Sequence, residues 1–123
     1  MTTTTIFYTG PFPIPYPIDH YGNDPISYSF QYKDENNVAV DISSYPGVFE
    51  IREYENGPVL LQLTEGSGVT NGGSSGIYTY AVTTTQMQTI QTNHAFYEFR
   101  ATVGSDVVTF MTGRFDRKSR FSE

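Results

Sequence analysis

The sequence has no cysteine and no tryptophan, and it has no apolar run of the length of a membrane-spanning helix. Without cysteine there can be no disulfide, no thiolate nucleophile and no cysteine-bound metal. Basic residues are also scarce: the formal net charge is −6, and residues 1–113 hold three of the seven basic residues against eleven of the thirteen acidic ones. Because phosphate contacts dominate affinity for nucleic acids, we expect no nucleic acid as partner, and no membrane either.

Patterns that carry catalysis are missing as well. The two histidines, His20 and His94, are isolated in predicted loops, and no G-x-S-x-G turn supplies a nucleophile. The glycine-rich stretch 65–76 lacks the Gly-Lys-Ser/Thr ending of a phosphate-binding loop. The Asp/Asn-rich turns at 19–24 and 34–37 lack the spacing of an EF-hand calcium loop. We therefore predict a non-enzymatic protein with no catalytic residue, no cofactor and no metal site.

What the chain does contain is aromatic residues in alternating segments. Ten tyrosines and nine phenylalanines among 123 residues are too many for a disordered chain, and the length suits one domain. Ile26, Tyr28, Phe30 and Tyr32 share one face of an extended segment. Residues 95–115 alternate in the same way around Gly-Ser-Asp at 104–106, which predicts a β-hairpin.

Further short strands are predicted at 38–40, 48–54, 58–64 and 77–82, with an Asn-Gly turn at 56–57 and one helical turn within 83–91 capped by Thr84. The glycine-rich loop 65–76 is predicted to be mobile, with at most a half-strand at Val69 and Thr70. About seven short strands with regular turn signals favour an all-β fold, an antiparallel immunoglobulin-like sandwich over residues 26–116. A jelly roll or a barrel is the alternative.

Residues 1–25 differ from this pattern, because every second residue from 11 to 17 is proline. Such a segment cannot form a central strand, so we predict an extended N-terminal arm with apolar side chains to bury. The arm either packs on its own domain or binds a neighbouring chain, and the sequence leaves both open. Residues 117–123 form a short basic tail. The predicted partner-binding residues are Phe12, Ile14, Tyr16 and Ile18 in the arm and Arg117, Lys118 and Arg120 in the tail.

Several segments resemble a module of the upper baseplate proteins of tailed phages. The text FQYKDENNVAVDISSY from Phe30, with Val-Asp-Ile-Ser at 40–43, is similar to the opening of that module. VFEIREYENGPVLLQL, starting at Val48, resembles its second hairpin, and FMTGRF at 110–115 resembles its closing strand. The resemblance covers about residues 26–116.

The resemblance implies a structural protein of the virion, as a tail or baseplate component or a capsid decoration protein. Its partners would be other virion proteins, and it would form a homo-oligomer in the particle. The alternative is a carbohydrate-binding module for attachment to the host surface, in which Tyr78, Tyr80 or loop aromatics stack on sugars. Packing at protein interfaces is favoured, because no cluster of Asp, Asn and Arg accompanies these aromatics in the sequence.

Overall fold

A computed structural model describes residues 4–8, 14–34, 36–90 and 92–118. In these ranges the chain forms ten strands, one helix of four residues and a 3₁₀ turn, which confirms the prediction of an all-β protein. The strands are β1 (Thr4–Tyr8), β2 (Ile14–Pro15), β3 (Ile18–Tyr21), β4 (Ile26–Tyr32), β5 (Gly47–Arg52), β6 (Val59–Glu65), β7 (Gly68–Asn71), β8 (Ile77–Val82), β9 (His94–Val103) and β10 (Asp106–Lys118). The helix is α1 (Thr84–Met87), and the 3₁₀ turn is Gly73–Ser75.

The described strands form one mixed sheet in the order β1-β4-β8-β7-β6-β5-β9-β10, with β2 and β3 both pairing with β10. The sheet curls until its ends approach, since Phe30 and Tyr32 of β4 lie 5.9 and 5.1 Å from the Phe110 ring of β10. It is a nearly closed barrel. The predicted division into two antiparallel, immunoglobulin-like sheets is therefore not confirmed, and the structure is nearer to the barrel alternative.

The β9–β10 hairpin follows the predicted pattern. Val103 pairs with Asp106 around Gly104, whose φ of 64° lies in the left-handed region that glycine adopts without strain. The register shifts between Thr109 and Met111, and this bulge allows two consecutive residues, Phe110 and Met111, to face the core. The sequence gives no local signal for the bulge.

The core is built mainly from aromatic rings on alternate positions of the central strands. Phe49 of β5 stacks on Tyr80 of β8 with centroids 4.4 Å apart, and Phe99 of β9 contacts Tyr78 and Tyr80 at 5.0 and 5.6 Å. The buried tyrosines keep partners for their hydroxyls: Tyr78 donates to the carbonyl of Tyr45 at 2.6 Å. Aromatic pairs of this kind contribute about 0.5–1.5 kcal/mol each beyond the area that they bury.

The helical turn lies where it was predicted, but its cap is one residue earlier. Thr83, rather than Thr84, accepts a hydrogen bond from the backbone of Gln86, and the Gln86 side chain accepts one from the backbone of Thr83. This reciprocal capping box satisfies two backbone donors at the start of the helix. Met87 and Ile90 then point into the core and are buried.

The glycine-rich segment that was predicted to be mobile is instead tied to the barrel. It contains β7, which includes the predicted half-strand, and the Asn71 side chain donates to the carbonyl of Ile42 at 2.8 Å and to the Glu65 carboxylate at 2.9 Å. Gly76 has a φ of 72°, and a Cβ there would lie 2.7 Å from the carbonyl oxygen of Tyr32. The glycine at this position permits close approach of two backbones rather than mobility.

The described part of residues 1–25 belongs to the same sheet. β1 pairs in parallel with β4, whereas β2 and β3 pair in parallel with β10. The pairings make β4 and β10 run in opposite directions. Therefore β1, at one end of the sheet, runs opposite to β2 and β3, which lie at the other end. A Cβ on Gly113 of β10 would lie 2.6 Å from the Tyr16 carbonyl oxygen, so the returning strand passes very close to β10. The predicted boundaries of arm, domain and tail stay predictions.

Candidate interaction site

The outer face of strands β5, β6 and β9 carries charged side chains at positions that alternate with the core residues. On β5, Phe49 and Ile51 point inward, so Glu50 lies on the outer face between them. Glu50 pairs with Gln62 of β6 on one side and with Glu98 of β9 on the other. The register therefore brings residues from three separate segments into one row.

Glu50 is the centre of this row and is only 2% exposed, although it faces away from the core. Its carboxylate accepts hydrogen bonds from Arg52 at 2.6 Å, from two nitrogens of Arg100 at 3.0 Å each, and from Gln62 at 2.8 Å. The bonds from Arg100 are the largest cause that lowers the pKa of Glu50 to about 2, and burial acts in the opposite direction. Arg100 also binds Glu98 at 3.0 Å, so it bridges two carboxylates that would otherwise repel each other.

Beside this network lies a shallow cleft of about 120 Å³. Phe96 of β9 stands in register with Arg52 of β5 and with Arg114 of β10. The turn after β5 forms the wall of the cleft, and there Asn56 takes a φ of 61°. The lining residues are Arg52, Glu55, Asn56, Phe96, Tyr97, Glu98 and Thr112.

The polar groups of the cleft are held in place by the surrounding structure. Arg52 donates to Glu50 and, at 2.7 Å, to the carbonyl of Gly57. Thr112 donates its hydroxyl to the carbonyl of Tyr97 at 3.1 Å. The Glu98 side chain is 31% exposed, with one oxygen bound to Arg100. The cleft thus presents one aromatic ring together with a guanidinium, carboxylates and an amide.

The sequence contained these residues but gave no sign that they meet. In the sequence, Phe96 alternates with Tyr97 and Glu50 alternates with Phe49, but no signal connects the two segments. Only the register of β5 with β9 and of β9 with β10 joins them. The signal that was available is the clustering of charge at alternate positions of strands whose other positions are apolar.

A second polar group lies where β3 meets β10. His20, predicted in a loop, is instead in β3, is buried, and lies with its ring 4.7 Å from that of Phe115. Its Nδ1 lies 3.2 Å from the carbonyl oxygen of Gly22, while its buried Nε2 has no hydrogen-bond partner among the residues that the structure describes. Burial is the largest cause that lowers the pKa of His20. Asp19, the carboxylate next to His20 in the sequence, is exposed on the opposite face of the strand.

His94 lies at the start of β9 rather than in a loop. Its Nδ1 is 3.3 Å from Asp116, which also lies 3.4 Å from the guanidinium of Arg114. Asp34, one of the oxygen-rich turn residues weighed for calcium, accepts hydrogen bonds from the backbone of Asn36 and Val38 and so shapes its own turn. Among the described residues, no group of three His, Cys, Asp or Glu side chains is placed to hold a metal ion.

The predicted partner-binding residues are divided between the interior and the surface. Ile18 is buried, and Tyr16 is half-buried with its ring edge-on to that of Tyr28 at 6.0 Å. Arg117 donates to the carbonyls of Met87 and Ile90, which fixes the segment after α1 to β10. A role for these residues in binding a partner remains a prediction.

Of the other predicted partner-binding residues, Lys118 is exposed, as a charge that contacts a partner must be. Ile14 lies in β2, where its backbone pairs with Met111 of β10. Phe12 and Arg120 lie outside the described residues. No helix among the described residues is long and apolar enough to cross a membrane.

The two tyrosines proposed for sugar stacking are not on the surface. Tyr78 and Tyr80 are both 0% exposed, because they face the interior of the barrel from β8. Burial raises the pKa of both phenols, which agrees with an apolar environment. The prediction that these residues stack on sugars is therefore wrong, and the reason is the face of the strand on which they lie.

Comparison with known proteins gives a likeness of structure rather than of sequence. No family model matches the chain, and no match was found among curated proteins. A solved structure described as the N-terminal domain of phage TP901-1 ORF48 is similar, with a TM-score of 0.58 and 14% sequence identity. The match covers 96% of this chain and 99% of that one. The chain therefore shares the fold of a phage protein domain over nearly its whole length, which confirms at the level of fold the resemblance that the sequence suggested.

Proposed function

We propose that the chain is a non-enzymatic structural component of a tailed-phage particle. The observation that carries this proposal is the shared fold with the phage domain, because the match covers both chains almost completely. The segments around 30–45 and 48–63, which the sequence analysis likened to the upper baseplate module, agree with this shared fold. The baseplate is the location that this resemblance favours over the tail tube or the capsid surface.

The function would be to bind neighbouring virion proteins, including further copies of itself. Exposed apolar side chains support such contacts: Tyr21 is 54% exposed and Val107 is 66% exposed. Tyr21 pairs with Lys118 in the β3–β10 register, so an aromatic ring and a basic side chain stand together at this edge of the sheet. Tyrosine combined with a flanking charge is a common composition at protein interfaces.

Mass spectrometry of purified particles tests the proposal most directly. If the chain is a virion component, it copurifies with the particles in a fixed ratio to the other structural proteins. A Tyr21→Ser and Lys118→Glu double variant should fold normally and be incorporated less, whereas Val38→Ser, at another exposed apolar residue, serves as the matched control. Presence in the lysate of infected cells together with absence from particles would contradict the proposal.

The alternative function, attachment to host carbohydrate, loses Tyr78 and Tyr80 as binding residues. The loop aromatics remain candidates for it, and the structure adds the cleft beside Phe96, whose polar side chains can form hydrogen bonds with sugar hydroxyls. Binding at that cleft does not depend on whether the chain is part of a particle.

A further inference from the structure

We propose that the cleft beside Phe96 is a binding site for one ring of a neutral saccharide. The inference rests on the geometry of the outer face of β5, β9 and β10 and is independent of the proposed virion role. Its first element is the Phe96 ring, which is half-exposed and lines the cleft. A flat aromatic ring is the usual surface on which the C–H groups of a sugar pack.

The second observation that supports the site is that the polar groups around the ring are held in place by other residues. Arg52 donates hydrogen bonds to Glu50 and to the carbonyl of Gly57, so its guanidinium is already ordered before a ligand binds. Glu98 is held by Arg100, and its side chain is 31% exposed. Groups that are already ordered lose little conformational entropy on binding, which favours the weak polar contacts that a small ligand makes.

The mixture of charges decides the class of ligand. An anion would meet the carboxylates of Glu55 and Glu98, whereas a cation would meet the guanidinium of Arg52, with Arg114 beside Phe96 in the register. An apolar ligand would cover these charged groups without satisfying them, which costs free energy. Hydroxyl groups both donate and accept hydrogen bonds, so a neutral polyhydroxylated ring suits both kinds of neighbour.

The size and position of the cleft agree with this class. A shallow volume of about 120 Å³ suits a single ring, and further rings of an oligosaccharide would extend along the surface. Asn56 lies at the tip of the β5–β6 turn, where its exposed amide offers a donor and an acceptor to a ring packed on Phe96. The fold thus assembles at Phe96 the polar cluster that the linear sequence did not reveal.

Saturation-transfer NMR on the whole chain tests the inference, with glucose, galactose, N-acetylglucosamine and rhamnose as separate probes. We expect at least one to bind with a Kd on the order of 1 mM. Phe96→Leu, which keeps an apolar side chain but removes the flat ring, should weaken that binding about tenfold. Val38→Ser, which changes an exposed apolar side chain outside the cleft, should leave the Kd unchanged.

Two further measurements separate the possible results. Circular dichroism and thermal unfolding of each variant establish that a loss of binding is not a loss of folding. Asn56→Gly provides a second cleft variant, because it removes the amide while glycine keeps the φ of 61° without strain. Binding that is reduced by both cleft variants in folded protein supports the site. The inference is overturned if none of the four sugars binds, or if Phe96→Leu binds them like the wild type.

Discussion

The two faces of strands β5 and β9 are buried by different means. On the inner face, Phe49 and Phe99 are covered by other aromatic rings. On the outer face, Glu50 is covered almost as completely, but by the side chains of Arg52, Arg100 and Gln62. The same two strands therefore combine a core that depends on apolar packing with a surface layer that depends on charge. The two layers should respond differently to mutation and to pH.

The largest effect is expected on the inner face. Phe49→Ala should lower the free energy of unfolding by about 3–5 kcal/mol, because it leaves a cavity among Tyr80, Tyr97 and Phe115. Denaturant unfolding monitored by fluorescence or circular dichroism measures the change. Phe96→Ala, on the outer face of β9, is the matched control and should cost much less. Equal costs for the two variants would mean that the faces do not differ in packing.

The contribution of the outer face to the stability of the fold should become visible when the pH is lowered. Since the pKa of Glu50 falls from its ordinary 4.5 to about 2 in the folded chain, the unfolded chain binds the proton first. The contribution of Glu50 to the free energy of unfolding is complete above pH 4.5 and is lost as the pH falls towards 2, and its full size is on the order of 3 kcal/mol. Unfolding measured across this range should show the loss. In Glu50→Gln this part of the pH dependence should disappear, and if it persists Glu50 is not its source.

His20 should produce a separate pH dependence at the β3–β10 edge. Its pKa is lowered mainly by burial, and the charge of Arg117 lowers it further. The hydrogen bond to the carbonyl of Gly22 and the charges of Asp116 and Asp19 raise the pKa and so oppose this shift. The neutral ring is therefore favoured in the folded chain, so its contribution is complete above pH 6.5 and is lost as the pH falls below that value. NMR titration of the imidazole gives the folded pKa directly. A midpoint above 6.5 would contradict the structure.

The smallest effect is expected for Phe96→Leu. Because Phe96 is half-exposed and lies outside the aromatic core, the substitution should change the free energy of unfolding by no more than about 0.5 kcal/mol. The same denaturant experiment as for Phe49 measures it. A cost as large as that of a core substitution would show that the ring is a structural element rather than an exposed surface.

The sequence predicted the features that depend on neighbouring residues. Alternation around residue 104 gave the β9–β10 hairpin, and the Asp34 turn and the helical turn at 83–91 also follow from local patterns. It did not predict the parallel pairing of β1 with β4 or of β3 with β10, since the residues of an extended segment do not indicate the distant strand with which it pairs. For the same reason the Glu50 network and the Phe96 cleft emerge only from the strand register.

The position of β3 has a consequence for how the protein is made. Ile18 pairs with Phe115, so two backbone positions that are 97 residues apart in the sequence must lie side by side. During synthesis the buried side chains of Ile18 and His20 remain without their partner strand until almost the whole described chain has left the ribosome. Nascent chains arrested before Phe115 should consequently expose this segment to proteases and chaperones, whereas chains with an added C-terminal linker that carries Lys118 clear of the ribosome should protect it.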